Sequence, residues 1–173
     1  ILTNKKQLMK KALYLITQAK DDKINYIHNE VGYNYRLSNL HSAVGLAQLE
    51  NFKYYLKRKR QINEIYKKKF TKINKELRIS DNPEYAINNN WINVLILKKK
   101  ISKRLVYYLN KKKIFARPLW YPNHLQKAYK TCEKYKIKNA IILLKKSICL
   151  PSSPKLTNIQ IQKIIKTITS FKY

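Results

Sequence analysis

Apolar residues along this chain alternate between helical spacing and short unbroken runs. Leu8, Ala12 and Leu15 recur three or four positions apart and predict a first helix, with Asn4 as its candidate N-cap. The preceding Ile1-Leu2-Thr3 reads as the tail of a strand. Residues 16–37 are polar and irregular and read as a loop. Ser38 or Asn39 then caps the longest element. From Leu40 through Val44, Leu49, Leu56, Ile62, Tyr66 and Phe70 to Ile73 the spacing stays mostly helical for over thirty residues. That pattern predicts one long helix or a bent pair.

After Asn82-Pro83 the period changes. Trp91 to Leu97 (WINVLIL) is a compact β-branched run that suits a buried strand. Ser102 to Leu109 reads as a helix, and in IFARPLWYP the prolines Pro118 and Pro122 limit any strand to a few residues. A helix over about 136–146 precedes a short strand at Ser147 to Leu150, stopped by Pro151. Thr157 and Gln160 form a capping box ahead of a last helix with the stripe Ile161, Ile164, Ile165, Ile168 and Phe171. Strands alternating with helices after residue 85 imply a small α/β unit around a little sheet.

A length of 173 residues suits one ordinary domain or a piece of a larger one. A hydrophobic content of 45% excludes a fully disordered chain, although mean hydropathy is −0.54. No run approaches a membrane span and no leader pattern is present, so the expectation is a cytoplasmic protein with no membrane partner. Cys132 and Cys149 lack CxxC spacing and are expected as reduced, buried or half-buried thiols. The net charge of +29 would suit a nucleic-acid binder. Yet lysine outnumbers arginine about five to one and is spread as KKK at 67–69, 98–100 and 111–113. Abundant Lys, Asn and Ile are what A- and T-rich codons supply, and phosphate-tracking surfaces usually enlist more arginine. Solvated helix faces therefore explain the charge better than a basic patch, and nucleic acid is not the expected partner.

Candidate chemistry is sparse. Two glycines, Gly32 and Gly45, cannot build a GxGxxG or Walker loop. Gly45 within the long helical pattern fits either a close helix contact or simple tolerance. Asp21 and Asp22 read as turn residues, and His28, His41 and His124 lack metal-ligand spacing. Two polar clusters remain. In the first, Gly32-Tyr33-Asn34-Tyr35-Arg36 precedes a helix start; glycine permits a positive φ or a close approach, and Asn and Arg donors suit a phosphate. An ordinary turn and cap is the other reading. In the second, Pro-bounded Arg117-Pro118-Leu119-Trp120-Tyr121-Pro122-Asn123-His124 displays Arg, Trp and His together, able to hold an anionic or ring-shaped ligand. A packed Trp with exposed polar neighbours is the alternative.

GYNYRLSNLHSAVGLAQLE, ARPLWYPNHLQKAY, KTCEKYKIKNA and ICLPSSPKLTNIQIQKIIKTI, in this order and spacing, resemble the DegT-like nucleotide-sugar aminotransferases. These are pyridoxal-phosphate enzymes of aminotransferase fold type I. TQAKDDKINYIHNEVGYNYR is most similar to the branch that aminates carbon 4 of UDP-linked 4-keto-6-deoxy amino sugars of the legionaminic-acid and bacillosamine type, with perosamine-synthase-like substrates as the nearest rival. The resemblance implies an α/β fold: the C-terminal part of a fold type I aminotransferase, a long helix plus a small α/β domain. It further implies that 1–37 ends the large cofactor domain and carries an active-site loop, 38–80 is a connecting helix, and 81–173 is the small domain. It implies a homodimer in which the Asn34 loop reaches the neighbouring subunit's cofactor phosphate, with Arg36 near cofactor or nucleotide-sugar phosphates. Tyr33, Arg117, Trp120 and His124 would bind the nucleotide-sugar substrate. The expected cofactor is pyridoxal 5′-phosphate and the expected amino donor glutamate.

The departure from the family is large. The matched motifs begin after the family's Schiff-base lysine, and none of the 32 lysines here lies in that context. The expectation is a C-terminal half with no catalytic residue of its own, inactive alone and with an apolar face uncovered. A stand-alone nucleotide-sugar-binding or dimerisation module, and more remotely a basic nucleic-acid binder, remain the other readings.

Overall fold

Two helices carry the long apolar repeat, the second of the two arrangements its spacing allows. The computed structural model describes residues 2–22, 24 and 27–172. They form two units, Ile1–Asn51 and Phe52–Tyr173. The division falls inside the segment expected as one connecting helix over 38–80.

In the first unit, α1 (Lys6–Ile16) begins after Lys5, with no side-chain cap. Asn4 is therefore not the N-cap; the Lys5 amide donates instead to Thr3 Oγ1 at 3.1 Å. Leu2 and Thr3 are not in a strand, and Ile1 lies outside the described residues. Gln18 and Ala19 take positive φ (71° and 49°) and turn the chain into β1 (Lys20–Asp22), which pairs antiparallel with β2 (Ile27–His28). The segment read as a loop thus contains a short ladder. Asp21 anchors it: Oδ2 accepts from the Tyr14 hydroxyl and the Asn29 amide, each at 2.8 Å. Those two bonds, the Asn29 amide foremost, hold its carboxyl below the usual range. Asp22 Oδ1 accepts from the Ile24 amide at 2.7 Å. Both carboxylates serve the turn, as their spacing suggests. α2 (Asn39–Glu50) starts at Ser38, whose hydroxyl accepts from the His41 amide. It ends at Asn51, whose Nδ2 donates to the Ala47 carbonyl at 2.9 Å and closes the last turn. Among the described residues of this unit, Ala19 alone is buried.

The second unit opens on α3 (Phe52–Ile73) and holds a four-stranded antiparallel sheet. Its strands are β3 (Leu77–Ile79), β4 (Asn93–Leu97), β5 (Arg117–Pro118) and β6 (Ser147–Leu150), in the order β3-β4-β6-β5. Pro118 is tolerated because β5 is an edge strand. α4 (Ser102–Lys111), α5 (Lys138–Lys146) and α6 (Asn158–Thr169) complete the unit, with 3₁₀ turns at Asn123–Leu125 and Lys127–Tyr129. One core joins Ile62, Tyr66 and Phe70 of α3, the isoleucine stripe of α6 and Leu105 and Leu109 of α4 to alternate residues of the sheet, Leu77, Ile79, Leu95, Leu97, Ile148 and Leu150. Each fully buried side chain of this size contributes about 1.5–3 kcal/mol relative to exposure. β4 departs from the expected doubly buried strand: Leu95 and Leu97 face the core, but Val94 and Ile96 are half-buried. The capping box forms as expected, with the Gln160 amide on Thr157 Oγ1 (3.2 Å) and the Thr157 amide on Gln160 Oε1 (2.9 Å).

Cys149 is buried within β6, whereas Cys132 is exposed. Cys132 departs from the expected burial: it sits in the lysine-rich 130–136 stretch, whose described residues are all exposed. Among the described residues, no helix is long and apolar enough to cross a membrane, and no group of His, Cys, Asp and Glu could hold a metal ion.

Candidate functional site

The structure places the two sequence-predicted clusters in different units. In the first, residues 32–35 run beside the end of α1. The Tyr33 amide donates to the Leu15 carbonyl (2.9 Å), the Tyr35 amide to Ile16 (3.0 Å), and Asn34 bridges Thr17 in antiparallel register. Gly32 has no positive φ. Its requirement is close approach: a methyl group there would stand 2.5 Å from the Gln18 carbonyl carbon. Glycine is thus explained by backbone packing within the unit rather than by a left-handed turn. Gly45 meets nothing within 4 Å, so no close helix contact among the described residues explains it.

Tyr33 and Tyr35 stack at 5.3 Å with rings 12° apart. Asn34 and Arg36 are exposed and, with Ser38, Asn39 and Leu40, line an open depression of about 620 Å³ at the N-terminus of α2. The Arg36 guanidinium has no hydrogen-bond or ion-pair partner among the described residues. A cation, an amide and a positive helix end in one depression form an arrangement that favours an anion. Tyr33 does not line it.

In the second unit Arg117 stands on edge strand β5 opposite Cys149. Both line a pocket of about 300 Å³ with Lys59, Trp91, Phe115 and Ser152. Burial pushes the Cys149 thiol up, with the nearby Arg117 charge a smaller opposing effect, so this cysteine is not an activated nucleophile. Trp120 lies outside the lining but packs against Trp91, ring centroids 6.0 Å apart and planes 39° apart. His124 is half-buried in the Asn123–Leu125 turn, and no described contact joins it to Arg117 or Trp120.

The frame of this pocket is a hydrogen-bonded network. Lys59 Nζ donates to the carbonyls of Trp91 (3.1 Å) and Ser152 (2.9 Å), and partial burial lowers its pKa. Asn93 donates through its amide and Nδ2 to Ser152 Oγ (3.0 and 2.9 Å), accepts from Asn63 Nδ2 (2.8 Å), and Ser152 Oγ donates on to the Leu150 carbonyl. The Tyr66 hydroxyl donates to the Pro151 carbonyl at 3.0 Å, and burial raises its pKa. α3 thereby pins the LPSSP turn against β4.

The pattern of the DegT/DnrJ/EryC1/StrS aminotransferase family matches residues 1–169. The chain belongs to that family. It is 32% identical, over 97% of its own length and 44% of the relative's, to Bacillus subtilis EpsN, whose name assigns it provisionally to the pyridoxal phosphate-dependent aminotransferases. It is 36% identical to the GDP-perosamine synthase of Escherichia coli O157:H7, over 99% of this chain and 46% of that one. Helicobacter pylori PseC, an aminotransferase involved in pseudoaminic acid biosynthesis, shares the fold with a TM-score of 0.77 at 21% identity, over 96% of this chain and 46% of its own. The chain thus spans a little under half the length of these relatives, and its α/β architecture is consistent with the C-terminal part of the fold type I aminotransferases.

Sequence reasoning missed Lys59 and Trp91. Trp91 read as the first residue of a strand and Lys59 as one more solvated lysine. The signal for Trp91 was available in the asparagine run before it, which makes a turn rather than a strand.

Proposed function

We propose that this chain supplies the C-terminal half of a pyridoxal phosphate-dependent sugar aminotransferase that moves an amino group, from glutamate, to carbon 4 of a nucleotide-linked 4-keto-6-deoxy sugar. The observation that carries this reading is the family match over residues 1–169 together with its coverage of less than half of each relative. Bound pyridoxal phosphate supplies the electron-accepting ring through which an amino group passes between donor and acceptor. The residues present fit its phosphate end: Asn34 and the unpartnered Arg36 would hold that group beside the α2 N-terminus. Tyr33, Arg117, Trp120 and His124 would bind and orient the sugar nucleotide. The whole enzyme would be a cytoplasmic homodimer, with Asn34 serving the neighbouring subunit's cofactor. The domain reading is that 1–37 ends the large domain, 38–80 connects, and 81–173 is the small domain. The chain alone lacks the Schiff-base lysine and is inactive.

A chimera tests this reading: the E. coli GDP-perosamine synthase with its matching part replaced by this chain. Given glutamate and UDP-, GDP- or dTDP-linked 4-keto-6-deoxy sugars, it should form a 4-amino sugar, whereas the 173-residue chain alone should form none. Asn34→Ala and Arg36→Ala should weaken cofactor retention. The resemblance favours a UDP-linked acceptor, and the 36% identity to a GDP-perosamine synthase favours a GDP-linked one as the second reading. Absence of product with all three sugars overturns the sugar-aminotransferase assignment, and turnover by the chain alone overturns its incompleteness.

A further inference from the structure

The pocket beside β5 contains an aromatic that the reading above does not use. Trp91 is held in place but left in water: it is 65% exposed, and its neighbour Trp120 is 63% exposed. Three successive asparagines build its support. Asn88 Oδ1 accepts from the Asn90 amide (2.7 Å), Asn89 Oδ1 accepts from the Trp91 amide (3.0 Å), and Asn90 takes a left-handed φ of 51°, which asparagine tolerates better than other side chains. Lys59 fixes the other side by holding the Trp91 and Ser152 carbonyls together. Two large indoles packed on each other, restrained yet unburied, are costly to leave in water and are enriched where a ligand or partner covers them.

The polar part of the pocket is one-sided. No carboxylate lines it. The Lys59 ammonium is already committed to two carbonyls, while the Arg117 guanidinium has no hydrogen-bond or ion-pair partner among the described residues. A planar fork free to donate twice suits a phosphate, and an exposed indole beside it suits the flat face of a ring. The volume of about 300 Å³ admits a sugar or a base with one phosphate group, not a whole sugar nucleotide.

We propose that Trp91 and Arg117 form a subsite for a phosphate-bearing ring of a sugar nucleotide, with Lys59 as the residue that positions Trp91. This rests on the sugar-nucleotide reading for its choice of ligand. Trp91 covers the ring, Arg117 meets the phosphate, and Trp120 backs the indole.

The chain has only two tryptophans, so its intrinsic tryptophan fluorescence reports on this pair alone. The 173-residue chain is titrated in 0.15 M salt with UDP-N-acetylglucosamine, UDP, uridine, tripolyphosphate and pyridoxine 5′-phosphate, which lacks the aldehyde that reacts with lysines. UDP and the UDP-sugar should quench with saturation, and uridine and tripolyphosphate should bind at least about tenfold more weakly, since each lacks one of the two features. Arg117→Met should weaken UDP about tenfold or more and leave uridine unchanged. Trp91→Phe should weaken both, with Trp120 still reporting. Lys59→Met should lose affinity while Lys59→Arg restores part of it. Both Arg117 and Trp91 are exposed, so circular dichroism should show their variants folded.

If equilibrium dialysis finds UDP-sugar bound equally by wild type, Arg117→Met and Trp91→Phe, this subsite is overturned and the sugar-nucleotide reading stands. If pyridoxine phosphate saturates through Arg117 at lower concentration than UDP and the UDP-sugar, the pocket takes a cofactor-like ring and the sugar-nucleotide reading of it falls. Equal quenching by tripolyphosphate reduces the effect to the charge of the chain and overturns the proposal. So does the absence of saturation by any ligand.

Discussion

α2 and α3 follow one another with a single residue between them, share one apolar spacing, and have opposite fates. α3 buries Ile62, Tyr66 and Phe70, one residue per turn, against a sheet and α6. α2 buries nothing, although Leu40, Val44, Leu46 and Leu49 are as apolar as anything in α3. Helical spacing says where an apolar face lies; whether it stabilises depends on a partner element, because the free energy comes from area removed from water. In the second unit that partner is the four-stranded antiparallel sheet together with α6. In the first unit a two-stranded ladder and one buried alanine give no core, and more than half of each relative's length lies outside the matched region.

The comparison breaks most easily at the core. Leu95→Ala or Ile148→Ala, both fully buried, should destabilise the 173-residue chain by about 2–5 kcal/mol, the cost of lost transfer energy plus a cavity. Leu40→Ala in α2 should stay within about 0.5 kcal/mol. Urea unfolding followed by circular dichroism reads both on one scale. Equal losses would mean that α2 finds a partner in solution and that the contrast between the helices is false.

Much of this contrast was legible beforehand, and its limits have physical causes. The capping box, the isoleucine stripe of α6 and the strand at Ser147 to Leu150 were read from local pattern because each is fixed by neighbours in sequence. β3 was missed because Leu77-Arg78-Ile79 is three residues long and acquires its identity only by pairing with β4. At the break, Asn51 donates through Nδ2 to the Ala47 carbonyl and through its backbone amide to the Leu49 carbonyl, a choice that asparagine offers anywhere in a helix and takes only sometimes. At the candidate sites, Arg117 and Arg36 stood out by residue type. Trp91 and Lys59 join the pocket through contacts that span about 30 and 90 residues, which no local pattern encodes.

The two N-caps sharpen the comparison at smaller energies. Thr157 caps a helix whose stripe is buried, and Thr157→Ala should cost about 1 kcal/mol in the urea transition of the second unit. Ser38 makes a comparable bond to the His41 amide at the start of α2. Ser38→Ala should lower helical signal without moving that transition, since local helix stability is not coupled to a core that the helix does not enter. A shared shift of about 1 kcal/mol in both variants would show that the units unfold as one.

The smallest expected effect concerns charge. Lys67 Nζ meets Asp81 Oδ1 at 2.9 Å, and the hydrogen bond from Lys67 holds the Asp81 carboxyl below its usual range. Asp81 is largely in water and Lys67 is half-buried, so the pair is screened from one side and contributes no more than about 0.5 kcal/mol. Because the folded pKa is depressed, that contribution is fully present above the unfolded value near 3.8 and is lost as pH falls through the folded one. Lys67→Ala should therefore differ from wild type by a few tenths of a kcal/mol at pH 7, and the difference should vanish in acid and shrink in 0.5 M salt. A difference that survives both would require Asp81 to be shielded from water. The edge of the second unit near β3 would then be as closed as its core, and the line between exposed and buried faces would have to be redrawn there.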